Sequence, residues 1–378
     1  MKTSNEQGRK HSNAVEPATR KFQISGTVLW IAVTITAIAT TLIWDWQHSN
    51  WETPANSLTL PMLLAAATTT LVGFWSVPWL QAIKAGQFIR EDGPQSHLKK
   101  AGTPTMGGIF FVPVGILLAL FWSGWSPNVL AAATLSLAYA FVGFLDDWQI
   151  LRRRSNKGIS PKMKLLLQVV LAGLFCLWLA WMEAGNLAAV STVWLPGGIS
   201  LALGWGFWGL AVFVLVAESN STNLTDGLDG LAGGTSAIAF LGLAAIVASS
   251  DPALAIFAAC FAGSCLGFLA YNRNPANVFM GDTGSLAIGG GLAAVALLSQ
   301  NLWSLFLLSG IFFVEALSVI AQVSYYKATK NEEGVGTRLL KMAPLHHHLE
   351  LSGWSEMTVV SLFYAIEAGL AWLAWWWQ

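Results

Sequence analysis

Long apolar runs separated by short polar interruptions dominate the chain. A helix needs about 20 apolar residues to cross the hydrocarbon layer of a membrane. Runs of that kind predict spans near 27–44, 59–82, 107–123, 128–145, 165–183, 201–218, 231–249, 253–271, 284–300, 303–325 and 356–377. The expected fold class is an all-α polytopic membrane protein. The breaks at 124–127 and 250–252 are so short that the helices flanking them are expected to form antiparallel hairpins. Residues 1–26 read as a disordered cytoplasmic tail, 27–58 as one additional transmembrane helix with an external loop, and 59–378 as the main membrane domain. No small-residue cleavage site follows the first run, where Trp44-Asp45-Trp46 stands instead. That run is therefore read as a retained span and not as a signal peptide.

Composition supports lipid as the main solvent. Of 378 residues, 54% are hydrophobic and 11% charged, against about 25% charged in a soluble domain. The 20 basic and 20 acidic residues cancel, which argues against a basic surface for nucleic acid. The placement of the charges is more informative. In the eleven-span threading, Lys and Arg in 2–21, 84–100, 152–164, 327–341 and at Arg273 all fall on one side. The opposite loops carry Asp45, Glu52, Glu183 and Asp251 but no base. The positive-inside rule then predicts a cytoplasmic N-terminus and an external C-terminus. Cys176, Cys260 and Cys265 lie in apolar runs without metal-site spacing and read as packing residues.

Candidate chemistry gathers on the cytoplasmic side. The loops there hold Lys100 and Thr105, the pair Asp146 and Asp147, the stretch from Asn220 to Gly230, the stretch from Asn272 to Ser285, and His346-His347-His348. An Asp pair at a span end is equally compatible with a helix stop. Five carboxylates on one membrane face beside basic loops, with Asp226, Asp229 and Asp282 joining that pair, suit a hard divalent cation that neutralises phosphate. Thr225-Asp226-Gly227-Leu228-Asp229-Gly230 precedes a helix whose first N–H groups are able to cradle a phosphate; a capped loop is the plainer reading. Three consecutive His residues cannot converge on one ion from a regular helix, so zinc is discounted in favour of a donor to phosphate oxygens. Glu315 and Gln322 share one helical face and either line the floor of the site or bond to neighbouring helices. Lys162 and Lys164 suit either a phosphate or the membrane surface.

The motifs K-K-A-G-T-P-T-M-G-G (99–108), F-L-D-D (144–147), N-L-T-D-G-L-D-G-L-A (223–232), F-M-G-D-T-G-S (279–285) and P-L-H-H-H-L-E (344–350) occur in this order. From about residue 59 onward the chain thereby resembles the polyprenyl-phosphate N-acetylhexosamine-1-phosphate transferases. The first and last motifs resemble its muramoyl-pentapeptide branch. The resemblance implies a ten-span, dimeric protein of the bacterial inner membrane with a cleft open to the cytoplasm. It implies transfer of phospho-N-acetylmuramoyl-pentapeptide from its UDP-linked donor to undecaprenyl phosphate, with Mg2+ as cofactor and UMP released. It makes Asp282 the metal ligand, and Asp146, with Asp147 beside it, the acid that positions or deprotonates the lipid phosphate. Asn223, Asp226, Gly227, Leu228 and Asp229 would form the nucleoside-side pocket, Phe279 would stack on uracil, and Asn272 lies near it. Lys100, His346 and His347 would contact the nucleotide-sugar, His346 being also a catalytic candidate. Thr105, Asn220, Gln322 and His348 complete the candidate substrate contacts.

Two departures stand out: the 27–44 helix is additional to ten spans, and Gln149 and Ile150 stand where the family often has a base after Asp-Asp. Direct attack by the lipid phosphate on the β-phosphorus is the expected chemistry, with a covalent aspartyl-phosphate as the alternative. The competing functions are a GlcNAc-1-phosphate transferase and, in another class, a transporter, whose site would be expected nearer the midplane. An intramembrane metalloprotease lacks its His-Glu-x-x-His pattern.

Overall fold

In the computed structural model, residues 24–50, 52–83, 100, 102–153, 155 and 157–378 are described. Most of the expected N-terminal tail, and the basic stretch 84–99, lie outside them. Local signals set several helix starts. Ser25 accepts from the Val28 amide to begin α1 (Gly26–Gln47). Ser160 followed by Pro161 begins α5 (Pro161–Met182), and Asp251 followed by Pro252 begins α9 (Pro252–Asn272), the cap-then-proline order that suits a first helical turn. Between them run α2 (Thr59–Ala82), α3 (Gly108–Trp122), α4 (Pro127–Arg153), a short α6 (Leu187–Val190), α7 (Gly206–Thr225) and α8 (Leu231–Val247). The chain closes with α10 (Gly281–Leu298), α11 (Leu302–Leu308), α12 (Gly310–Ala328), α13 (Leu345–Leu351) and α14 (Glu356–Trp376).

The architecture is that of an all-α polytopic membrane protein. Among the described residues, α1, α2, α4, α5, α9, α10 and α14 are each long and apolar enough to span a membrane. The run expected as one span at 303–325 is broken: α11 and α12 meet at 71°, at Ser309-Gly310. Residues 199–202, expected near the start of a span, form instead a strand (β2, Ile199–Ala202) paired antiparallel with β1 (Thr192–Leu195). The turn Pro196-Gly197-Gly198 makes that hairpin, because both glycines adopt φ 75° where a side chain would be strained. Two helices outrun their apolar segments. α4 continues to Arg153, so Asp146 and Asp147 lie inside a helix, and α7 continues to Thr225, so Asn220 and Asn223 do too. Polarity ends a membrane span but not a helix: Leu151, Arg152 and Arg153 carry α4 on by propensity, whereas the Ser-, Asn- and Thr-rich end of α7 is a poor helix former tied to α10 by Thr222 Oγ1 on Ser285 O at 2.8 Å and Asn223 Nδ2 on Ser285 Oγ at 2.9 Å.

Helices α9 and α10 form the core, with 94% and 83% of their apolar windows buried, whereas α1 is buried over only 17% and lies at the edge. Close backbone approach explains the density. A Cβ on Gly289 would lie 2.5 Å from Ser219 Cα in α7, one on Gly290 2.6 Å from the Tyr139 ring in α4, and one on Gly143 of α4 2.1 Å from the Asp282 carbonyl oxygen. Small residues let helices pack this closely where lipid offers no hydrophobic drive. The result is that α10 is wedged between α4 and α7, and the Asp-bearing ends of all three meet.

Candidate active site

Asp147 organises the meeting point. Its carboxylate accepts from the Asp282 amide at 3.2 Å, the Thr283 amide at 3.0 Å and the Thr283 hydroxyl at 2.7 Å. It therefore caps the N-terminus of α10 from another helix, which satisfies donors that a helix start leaves free. Gly281, at φ 72°, makes the turn into α10, and a Cβ there would meet Asp147 Oδ2 at 2.6 Å and Thr105 Oγ1 at 2.9 Å. Loop 104–108 is sewn to this turn: Phe279 N donates to Pro104 O, Gly107 N to Phe279 O and Gly108 N to Met280 O. Thr105 is thus buried beside Asp147, and the Phe279 ring is partly exposed.

Asp282, in the first turn of α10, forms an ion pair with Lys164 and accepts from Asn223 Nδ2 at 2.7 Å. Asn223 Nδ2 also donates to Ser285 Oγ at 2.9 Å. The Asp146 carboxyl lies against Asp282, and the Ile159 amide donates to it at 2.9 Å. Asp226, in the turn after α7, feels the Asp282 charge as well. Its carboxyl is pushed up to about 7 by burial first and by Asp282 second, against a hydrogen bond from the Gly281 backbone. Asp146 and Asp282 thus share the single ammonium of Lys164, with Asp226 close enough to feel the Asp282 charge, while Asp147 is occupied by α10.

Those carboxylates suit a divalent metal in donor chemistry: all are hard oxygen donors, and their mutual repulsion exceeds what one lysine offsets. Among the described residues no three His, Cys, Asp or Glu side chains are already arranged around one point, and Lys164 holds one oxygen of Asp282.

A second cluster adjoins the first through the Asp226–Gly230 turn. His346 is buried; its ring Nδ1 lies 3.0 Å from Glu315 Oε2, and its amide donates to Glu315 Oε1 at 3.1 Å. Its Nε2 has no hydrogen-bond partner and points at Gly227, where a Cβ would stand 2.2 Å away. Glycine at 227 is therefore what lets the imidazole come under the loop. The neighbouring histidines diverge. His347 Nδ1 lies 3.0 Å from Glu350, and His348 Nδ1 accepts from the Lys341 amide at 3.1 Å. Lys100 donates to Asp229 at 2.8 Å and to Glu356 at 2.6 Å. Burial works against its charge, but Glu356 and Asp229 outweigh burial and hold its pKa above the ordinary lysine value. Leu228 is buried in an apolar cluster with Ile311, Val360 and Phe363. Asn272 accepts from the Gly230 amide at 3.0 Å and donates to Val278 O at 2.9 Å, tying the two loops together.

Two of the sequence-derived candidates stand apart from the carboxylates. Asn220 bonds to Gln168 Oε1 at 3.0 Å and joins α7 to α5. Gln322 uses both ends of its amide on the Leu340 backbone, at 3.2 and 2.8 Å, and anchors the loop that leads to the histidines. Conversely, the sequence does not single out Glu356, contains Asn274 only within the 272–285 stretch, and does not separate Lys164 from Lys162. Ser355-Glu356 looks like an ordinary helix start, and only the fold brings it to Lys100.

Comparisons with known proteins point to one family. Residues 129–300 match Glycosyl transferase family 4, and residues 100–112 match signature 1 of the phospho-N-acetylmuramoyl-pentapeptide-transferases. A protein of that name from Gloeothece citriformis is 61% identical over 347 residues, 92% of this chain and 94% of its own length. The chain belongs to the phospho-N-acetylmuramoyl-pentapeptide-transferase family. Relatives of the same name from a Nostoc species, 63% identical over 333 residues (88% of this chain, 89% of the relative), and from Synechococcus elongatus, 56% over 351 residues (92% and 95%), extend the match. The family signature covers the very loop that is sewn to the start of α10. This member of the family is a multi-pass bacterial membrane enzyme.

Proposed function

We propose that this chain transfers phospho-N-acetylmuramoyl-pentapeptide from its UDP-linked donor to undecaprenyl phosphate, releasing UMP and forming the first lipid intermediate of peptidoglycan synthesis. The observation that carries the reading is the convergence, at one end of the bundle, of Asp146, Asp226, Asp282 and Lys164 with the His346 and Lys100 clusters. In the direct reaction an oxygen of the lipid phosphate attacks the β-phosphorus of the donor. The bond from that phosphorus to the oxygen bridging the two donor phosphates breaks, and UMP leaves with the bridging oxygen. Asp146 orients the attacking phosphate and accepts its proton when it carries one. Lys164 and Lys100 offset phosphate charge. Asp229, Asn272, Asn223 and Phe279 receive the nucleotide, with Phe279 stacking on the base, and His346 Nε2 faces the donor phosphates across Gly227. Thr105, Asp147 and Gly281 hold the frame. A bound Mg2+, held by Asp282 with the carboxylates beside it, would supply neutralisation of the pyrophosphate. Positioning and charge account for most of such chemistry.

The one-sided distribution of basic residues in the sequence supports a reading with this end at the cytoplasmic face, the N-terminus inside, the C-terminus outside and eleven spans between them. A homodimer is part of the same reading. The test is a transfer assay with the purified protein, undecaprenyl phosphate and either UDP-N-acetylmuramoyl-pentapeptide or UDP-GlcNAc. UMP release is expected with the first donor alone, only with lipid phosphate present, and to stop when the divalent cation is chelated. Release from UDP-GlcNAc instead would assign the chain to the rival transferases, and absence of release from either would overturn the reading.

A further inference from the structure

Helix α1 is an edge helix with little buried surface, yet polar contacts hold it at both ends. At one end Asp45 is wholly buried and accepts from Ser57 Oγ at 2.6 Å and from the Leu58 and Thr59 amides at 3.0 and 3.1 Å, locking α1 to the start of α2. At the other end α1 grips the turn after α9. The Arg273 guanidinium sits 4.8 Å from the centre of the Trp30 ring, and Arg273 Nε donates to Thr27 Oγ1 at 3.2 Å. Trp30 Nε1 donates to Leu266 O at 3.0 Å. The backbones touch: a Cβ on Gly26 would lie 2.3 Å from the Asn274 carbonyl oxygen.

The turn that α1 grips is wired into the Lys100 cluster. Asn274 Nδ2 donates to Asp229 Oδ2 at 3.1 Å and to Glu356 Oε2 at 3.0 Å, and the Ala276 amide donates to Asp229 Oδ2 at 3.0 Å. The Asp229 amide donates to Glu356 Oε1 at 2.7 Å, closing the network. Asp229 therefore presents its other oxygen to Lys100 only while the 273–276 turn stays in place.

We propose that α1 is a positioning element for the nucleotide-sugar subsite, with Trp30 and Thr27 holding Arg273 so that Asn274 and the Ala276 amide keep Asp229 and Glu356 aimed at Lys100. This rests on the reading above that Lys100 and Asp229 receive the donor. α1 touches no substrate; it acts by limiting the freedom of a loop, which lowers the ordering cost of donor binding. The lipid phosphate, which meets Asp146 and Asp282, is not served by this network.

The experiment is steady-state kinetics of the full chain in lipid nanodiscs, varying each substrate in turn, for Trp30→Leu, Arg273→Ala, Arg273→Lys and the Trp30→Leu/Arg273→Ala pair. Trp30→Leu and Arg273→Ala should each raise the KM for the UDP-linked donor by about 3- to 10-fold, the range expected from losing one cation–π contact at a partly exposed site. The kcat and the KM for lipid phosphate should change by less than about two-fold. The double variant should be no worse than the poorer single one, because both remove the same link. Arg273→Lys keeps a cation over the ring and should retain a near-normal donor KM. Unchanged donor KM in both single variants, or an equal loss in kcat and both KM values together with a lowered unfolding temperature, would overturn the proposal. Lys100→Gln separates the two layers. A raised donor KM there with none in the α1 variants rejects the role of α1 alone; an unchanged one rejects the donor subsite on which it rests.

Discussion

The two ends of the helix bundle use the same side chain to opposite effect. At the end predicted to be external, Asp45 caps α2 and Asp251 caps α9, and each carboxylate has its own donors. Asp45 accepts from Asn50, Ser57, Leu58 and Thr59, and Asp251 from Leu254 and Asn128. At the other end Asp147 does the same for α10, but Asp146 and Asp282 are left to share Lys164, and Asp226 faces Asp282 with a backbone hydrogen bond from Gly281 and no cation of its own among the described residues. The difference teaches that an aspartate becomes chemical through what its surroundings fail to supply. Where donors match acceptors the group is a cap; where carboxylates outnumber cations, charge is in reserve for a substrate or metal.

That contrast makes graded predictions. Asp282→Asn removes charge where it is in excess, so turnover in the UMP-release assay should fall by about 10³-fold, with the unfolding temperature held or raised. A variant that kept its turnover would place the reserve charge elsewhere. Asp146→Asn should lower kcat by about 10²-fold and leave donor affinity, read by calorimetry with the UDP-sugar, nearly unchanged; loss of that affinity would move Asp146 into the nucleotide pocket. Gly227→Ala should lower kcat/KM by about tenfold and cost about 1–3 kcal/mol of stability, because the added methyl would displace His346 from under the loop. At the other end, Asp45→Ala should cost about 1–3 kcal/mol of stability in denaturation by detergent titration, since four buried donors lose their acceptor. Its kcat/KM should fall far less than that of Asp282→Asn, since the cap is remote from the reacting groups.

Much of this was legible in the sequence because it depended on local pattern. The apolar runs gave the all-α membrane architecture, although only seven described helices are individually long and apolar enough to span, and the K-K-A-G-T-P-T-M-G-G, D-D, D-G-L-D-G and H-H-H motifs contain residues that the fold brings to one end of the bundle. What stayed hidden depended on distance in the chain. Nothing around Asp147 says that its donors are at Asp282 and Thr283, 135 and 136 residues away. Nothing in Ser355-Glu356 points to Lys100, and nothing in the triple histidine says that only the first turns inward, toward a glutamate thirty-one positions earlier. The broken span at Ser309-Gly310 was hidden for another reason. Its two halves are both apolar, and hydropathy is blind to direction.

The run Gly289-Gly290-Gly291 carries a consequence for how this enzyme tolerates change. It begins about 10 Å along α10 from Asp282, buried against Ser219 and Thr222 of α7, Ser136 and Tyr139 of α4, and Phe240. Because α4 and α7 press on bare backbone there, even one added carbon must push α10 aside as a rigid rod, and its far tip carries the carboxylate. Drift in the greasy middle of the protein is thereby read out as failure of phosphate chemistry at the water's edge.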